Sequence, residues 1–111
     1  MSNFINNGAK KINLALVSVG VAANSSADIV LYFNDGRTPV TVAGGLAAFQ
    51  ANPNIISAGN ADGFNLINKN NILDADLQPD GVTVRYTLAG LAGTYDIVTS
   101  GRNFSVCYSN L

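Results

Sequence analysis

The C-terminal third of the chain alternates between apolar and polar residues with the period of two that is typical of a half-buried β-strand. Residues 82–88, 94–99 and 104–109 each show this alternation, and the short segments 90–93 and 100–102 separate them. Three consecutive strands joined by short turns form a β-meander. The sequence therefore predicts a C-terminal meander whose third strand runs to residue 109.

An apolar run at residues 27–33 is followed by the turn sequence 34–37 and by a second apolar segment at residues 38–43. Asp35-Gly36 readily adopts the positive φ angles of a tight turn, and Pro39 belongs at a strand start or on a sheet edge. We predict a β-hairpin here, followed by one or two helical turns over residues 46–52 that end at Pro53. Residues 54–80 are rich in Asn, Gly and Asp, and we expect one or two short strands there, because a structureless loop of that length is unusual.

Residues 12–23 form an apolar stretch behind two lysines, and three interpretations of residues 1–23 stay open. The basic start, the short apolar stretch and the small residues 21–23 resemble a secretory signal peptide. The β-branched residues favour a strand instead, either the first strand of the domain or an arm that adds a strand to a neighbouring subunit. In a strand, one face would carry Ile12, Leu14 and Leu16, and the other would carry Asn13, Ala15, Val17, Val19 and Val21.

These elements together predict a single all-β domain that covers residues 1–111. Short strands with Gly-rich turns favour an antiparallel β-sandwich or a jelly-roll-like barrel, here with about six to eight strands and little helix. A chain of 111 residues has the length of one domain.

The composition excludes several classes of chemistry. The chain has no His, no Trp and one Cys, so it lacks Ser-His-Asp and Cys-His systems, imidazole ligands, thiolate zinc sites and an intrachain disulfide. Its six basic residues are scattered and the net charge is −1, so we expect no binding to nucleic acid. No apolar run reaches the roughly 18 to 20 residues of a membrane span. We therefore predict neither an enzyme nor a cofactor.

One carboxylate cluster, Asp74, Asp76 and Asp80, is a weak candidate for a Ca²⁺ site in a loop. Residues 76–81 resemble the start of an EF-hand loop, but Thr87 stands where a bidentate Glu is needed. Two of these carboxylates could also act as the acid and base of a glycosidase. Asp is more often a turn residue, and this interpretation is preferred. Cys107 is predicted to be a small packing residue.

The low charge points to function through assembly. Only 12% of the residues are charged and 48% are hydrophobic, whereas a free soluble domain normally carries more charge. Interface centres are depleted of charge. We predict a homo-oligomer or a component of a larger assembly, and its candidate interface residues are Ile12, Leu14, Leu16, Val17, Val19 and Tyr32.

Two functions are compatible with such an assembly. The first is a self-assembling or lattice-binding virion protein, such as a minor capsid, vertex or decoration protein of a bacterial virus, assembled in the host cytoplasm. The alternative is a secreted or cell-surface β-sandwich binding module, such as an adhesin or a pilus-like subunit. Both act through protein–protein contacts, and the virion protein is our first hypothesis.

Overall fold

A computed structural model of the chain describes residues 3–23, 25–60, 63–100 and 103–111. The described residues contain a short α-helix, α1 (Leu46–Gln50), two 3₁₀ turns at Leu14–Leu16 and Lys69–Asn71, and a π-helix at Ser105–Ser109. The strands are β1 (Phe4–Asn7), β2 (Lys10–Asn13), β3 (Val17–Ala23), β4 (Ile29–Phe33), β5 (Val40–Val42), β6 (Ile55–Asn60), β7 (Gly63–Asn68), β8 (Ile72–Leu77), β9 (Thr83–Leu88) and β10 (Thr94–Val98).

The chain is mostly β, and all strand pairs among the described residues are antiparallel. The described strands form three sheets, in the orders β1-β2, β5-β4-β3-β7-β6 and β10-β9-β8. The all-β prediction is confirmed at this level, although the strands are more numerous than expected. No helix in the described ranges is long and apolar enough to cross a bilayer.

Several predicted elements are confirmed. β4 and β5 form the expected hairpin, in which Ile29 pairs with Val42 and Leu31 with Val40. Helix α1 lies within the predicted residues 46–52. The Asn-rich segment 54–80 contains β6, β7 and β8, which is one more strand than expected.

The N-terminal segment is not the single alternating strand that two of the three interpretations of residues 1–23 expect. Residues 14–16 form a 3₁₀ turn between β2 and β3, and the Asn13 side chain caps this turn by accepting the Ala15 N–H at 3.0 Å. A β-bulge at Ser18 then shifts the pairing with β4. Val17 and Val19 consequently lie in different apolar cores rather than on one face. The alternation rule fails here because one extra residue reverses the side-chain direction.

The prediction of a last strand at residues 104–109 is wrong. The meander consists of β8, β9 and β10, and Ser105–Ser109 is a π-helix. Phe104, Cys107 and Tyr108, which pack into a core, follow the spacing i, i+3, i+4 of a helical face, whereas Val106 is 44% exposed. The Asn103 side chain accepts the N–H groups of Ser105 and Val106, which starts this turn.

Two apolar cores lie on opposite faces of the five-stranded sheet, because neighbours in β7 such as Leu66 and Ile67 belong to different cores. The first core combines the β1-β2 hairpin, α1 and one face of this sheet, and contains Ile5, Ile12, Leu14, Val17, Ile29, Leu31, Phe33, Val42, Phe49 and Leu66. The second joins the other face to the three-stranded sheet and the π-helix, and contains Val19, Ile56, Ile67, Val84, Tyr86, Leu88, Ile97 and Cys107.

Helix α1 carries the chain from β5 to β6, which are the two opposite edges of the five-stranded sheet. The buried Phe49 of α1 lies over Gly20 of β3, where a Cβ atom would come within 2.8 Å of the Phe49 ring. A glycine at this position therefore allows the helix to approach the central strand.

Side-chain amides join the two 3₁₀ turns. Asn68 is 3% exposed, and its Nδ2 donates to Leu14 O at 3.0 Å and to Val17 O at 2.8 Å. Asn71 Nδ2 donates to Val17 O at 2.8 Å. These amides satisfy carbonyls at the end of the first turn, which regular secondary structure leaves without a full set of partners.

The network of side-chain hydrogen bonds continues to the β9-β10 turn. Asn34 Nδ2 donates to Asn71 Oδ1 at 2.9 Å, and the buried Ser18 Oγ donates to Ala89 O at 2.6 Å. Gly90 has a φ of +78° and lies so close to the Asn34 backbone that no side chain fits there. We call this group the polar junction, and it comprises Ser18, Asn34, Asn68 and Asn71.

Candidate functional site

The candidate interface residues lie inside the chain's own cores. Ile12, Leu14, Val17 and Val19 are each at most 4% exposed. Leu16 and Tyr32 are half-buried and pack against the first and second core respectively. In this fold their side chains contact the chain itself, so a partner would have to use other surfaces.

The three candidate carboxylates are not brought together. Asp80 is occupied by its own turn, because it accepts the N–H of Val82 at 2.9 Å and the N–H and hydroxyl of Thr83 at 2.8 and 2.6 Å. The Thr83 hydroxyl is the main reason that the pKa of Asp80 lies below its ordinary value. Asp74 and Asp76 are exposed on β8. Within the described ranges, no three acidic, Cys or His side chains form a group that could hold a metal ion.

A charged row crosses the outer face of the three-stranded sheet. Asp76 and Asp96 are the register partners of Arg85, and Arg85 Nε lies 2.9 Å from Asp96 Oδ1. The hydrogen bond from Arg85 lowers the pKa of Asp96. These side chains are exposed, so the ion pair contributes little to stability.

Cys107 is 3% exposed and belongs to the second core. Its carbonyl oxygen accepts a hydrogen bond from the hydroxyl of the buried Tyr86. Burial raises the pKa of that hydroxyl well above its ordinary value. Cys107 thus has the packing position that the sequence predicts.

The sheet edges differ in how far they are protected against pairing with another strand. β5 is three residues long and follows Pro39 directly. β8 carries a bulge between Ile72 and Asp74 together with exposed carboxylates, and β10 carries Asp96. Short length, Pro, bulges and charges are the devices that block edge-to-edge pairing. β6, with the sequence IISAGN, has six residues, no charge, no Pro and no register shift.

The open hydrogen-bonding groups of β6 follow from its pairing with β7. Lys69 N–H donates to Asn54 O at 2.8 Å just before the ladder begins, and hydrogen-bonded pairs alternate along an antiparallel ladder. In this register Ile56 and Ala58 bond to β7. The backbone N–H and C=O groups of Ser57 and Gly59 therefore point away from the sheet, where β6 has no neighbouring strand in the described part of the chain.

A groove of about 370 Å³ lies beside the second 3₁₀ turn, and we call it the amide groove. Three separate segments supply its lining: the residue before β6, the turn with the start of β8, and the end of the chain. The lining residues are Asn54, Lys69, Asn70, Ile72, Asn110 and Leu111.

Sequence reasoning does not identify either surface. The amide groove needs side chains from three segments that only the fold brings together. The β6 edge can be recognised only when the strand order is known, because the apolar residues 55–56 and the neutral residues 57–60 do not show whether the strand is central or at an edge. The only signals in the sequence are the high Asn content, with 15 residues, and the lack of charge in this segment.

No family model matches this chain, and no curated protein or solved structure shows significant similarity to it.

Proposed function

We propose that this protein is a structural protein that acts by self-assembly through the edge strand β6, as a minor capsid, vertex or decoration protein of a bacterial virus would. The unprotected β6 edge carries the proposal. Among the described edges of the two larger sheets, β6 and β8 are the longest with six residues each, and β6 has neither the charges and bulge of β8, the charge of β10, nor the short length and preceding Pro of β5.

A second copy of the chain is the partner that this edge fits best. An antiparallel edge can pair with itself about a two-fold axis, which gives each chain the same contacts. Ser57 and Gly59 supply outward-facing backbone groups for such a ladder. The segment has no charged residue, so two copies meet no electrostatic repulsion there.

A second surface supports assembly of the resulting dimers. Val82 and Val98 are 37% and 54% exposed, and they lie at one end of the three-stranded sheet, where Val98 pairs with Thr83. Leu77, at the end of the neighbouring strand, is 40% exposed, and it lies on the opposite face from Val98 because it pairs with the core residue Val84. Exposed apolar side chains at this end of the sheet favour contact with another subunit.

We further propose that the five-stranded and three-stranded sheets constitute the two layers of a β-sandwich. The second core supports this arrangement, because it takes Val19 and Ile67 from the larger sheet and Val84 and Ile97 from the smaller one. The β1-β2 hairpin then covers the outer face of the larger layer through Ile5 and Ile12 of the first core.

The test is the native mass of the chain by light scattering over a dilution series. We expect a dimer or a larger closed oligomer for the wild type and a monomer for Ser57→Pro. The proline removes an outward-facing N–H without removing a hydrogen bond to β7. Ser57→Ala keeps that N–H, and it should assemble like the wild type.

The melting temperature of each variant shows whether its fold is intact. Oligomers that persist in a folded Ser57→Pro chain would exclude the β6 edge as the interface. A wild-type chain that is monomeric at every concentration would refute self-assembly. Electron microscopy of the wild-type assemblies then distinguishes closed particles from simple dimers.

A further inference from the structure

We propose that the amide groove binds a saccharide whose pyranose ring carries a carboxylate. This inference concerns a different surface from the β6 edge and does not depend on assembly. The groove has about 370 Å³ of space, which lies within the range of small-molecule sites in proteins.

The amides that line the groove differ from those of the polar junction. Asn34, Asn68 and Asn71 use their side chains in hydrogen bonds of the polar junction. In the described part of the chain, the side chains of Asn54, Asn70 and Asn110 make no hydrogen bond to other protein groups. Three carboxamides are therefore available to a ligand.

Hydrogen bonds of the backbone N–H groups fix the main chain at these three residues. Asn54 N–H donates to Asn52 Oδ1 at 2.9 Å, and Asn70 N–H donates to Asn68 Oδ1 at 3.0 Å. Asn110 N–H donates to Ser105 O at 2.8 Å. Because the main chain is fixed at all three residues, a ligand would have to order only the side-chain torsions of these amides on binding.

The chemistry of the lining selects the class of ligand. A carboxamide has two N–H donors and one acceptor oxygen, which matches neighbouring hydroxyl groups that donate and accept. Ile72 and Leu111 supply apolar surface that suits the C–H face of a sugar ring. The ion pairs of the described residues involve Arg37 and Arg85 and not Lys69, whose ammonium favours a negatively charged substituent.

The experiment is a titration of the ¹⁵N-labelled full chain with methyl β-glucuronide and, separately, with methyl β-glucoside, followed by NMR chemical shifts. We expect the side-chain amide signals of Asn54, Asn70 and Asn110 to shift at millimolar glucuronide. The glucoside should bind more weakly because it has no carboxylate for Lys69.

Variants assign the binding to the groove. Asn110→Ala should weaken glucuronide binding by about threefold to tenfold, the equivalent of one lost hydrogen bond. Lys69→Met should abolish the preference for glucuronide over glucoside. Asn7→Ala, which changes an amide of the β1-β2 hairpin outside the groove, should bind like the wild type.

Three outcomes would overturn the proposal. They are the absence of any shift of the groove signals with either sugar, equal binding of the two sugars to the wild type, and a loss of binding in Asn7→Ala as large as that in Asn110→Ala. Melting temperatures show whether each variant is folded, so a loss of binding is attributed to the groove only in folded chains.

Discussion

Replacement of Asn68 by alanine should remove the most buried amide of the polar junction. Its Nδ2 donates to Leu14 O at 3.0 Å and to Val17 O at 2.8 Å, and its Oδ1 accepts the Asn70 N–H at 3.0 Å. Each bond contributes about 1 kcal/mol to stability, so the variant should lose about 3 kcal/mol.

The expected loss of stability includes no additional cost for an unsatisfied carbonyl, because Leu14 O and Val17 O each keep a donor. Leu14 O still accepts the Val17 N–H, and Val17 O still accepts from Asn71 Nδ2. A loss of about 3 kcal/mol corresponds to a fall of roughly 10 to 20 °C in melting temperature for a domain of this size.

Urea unfolding followed by circular dichroism measures the loss, and Asn70→Ala is the matched control. Asn70 is the neighbouring amide, its side chain is exposed, and only its backbone takes part in the cap, so we expect a change within about 0.5 kcal/mol. A loss below about 1 kcal/mol for Asn68→Ala would refute the assignment of the junction as a main source of stability.

Two further predictions concern packing and pH. Gly20→Ala should destabilise the chain by about 1 to 3 kcal/mol, because the new Cβ would lie 2.5 Å from Ile29 Cδ1, whereas Gly93→Ala meets no atom within 4 Å and should be nearly neutral in the same urea assay. The pKa values of Asp80 and Asp96 are lowered in the folded state, so their contribution is present above about pH 4 and is lost as the pH falls below it. Melting temperatures of the wild type should therefore decrease on acidification, and those of Asp80→Asn should decrease less; equal decreases would argue against a role of the Asp80 turn.

Local patterns predict the parts of the fold in which one face of a strand is buried. In β9 the buried residues Val84, Tyr86 and Leu88 alternate with more exposed ones, and this strand matches the prediction closely. The β4-β5 hairpin follows in the same way from its turn chemistry. These elements depend on nearest neighbours in the sequence, so their signals are local.

The segments whose structure the sequence predicts wrongly are those in which the spacing of the apolar residues is compatible with more than one kind of secondary structure. Phe104 and Tyr108 belong both to an alternating set and to a helical face, and the contact between Tyr86 and the Cys107 carbonyl favours the helical arrangement. At the N-terminus, an apolar run that is buried on both sides cannot reveal the bulge at Ser18. Sequence reasoning therefore proposes Ile12 and Val19 as interface candidates, whereas the fold buries them in its two cores.

The polar junction also has a consequence for the order of folding. Its contacts join residues far apart in the chain, since Leu14 and Asn68 are separated by 54 positions, and Ser18 and Ala89 by 71. Contacts of such long range slow the search for the native state. During synthesis β3 can pair with β4 early, but its other neighbour, β7, and the amides that satisfy its turn emerge later. The N-terminal half is therefore expected to stay incompletely folded until residue 71 has left the ribosome, and folding is completed only when the β9-β10 turn closes on Ser18.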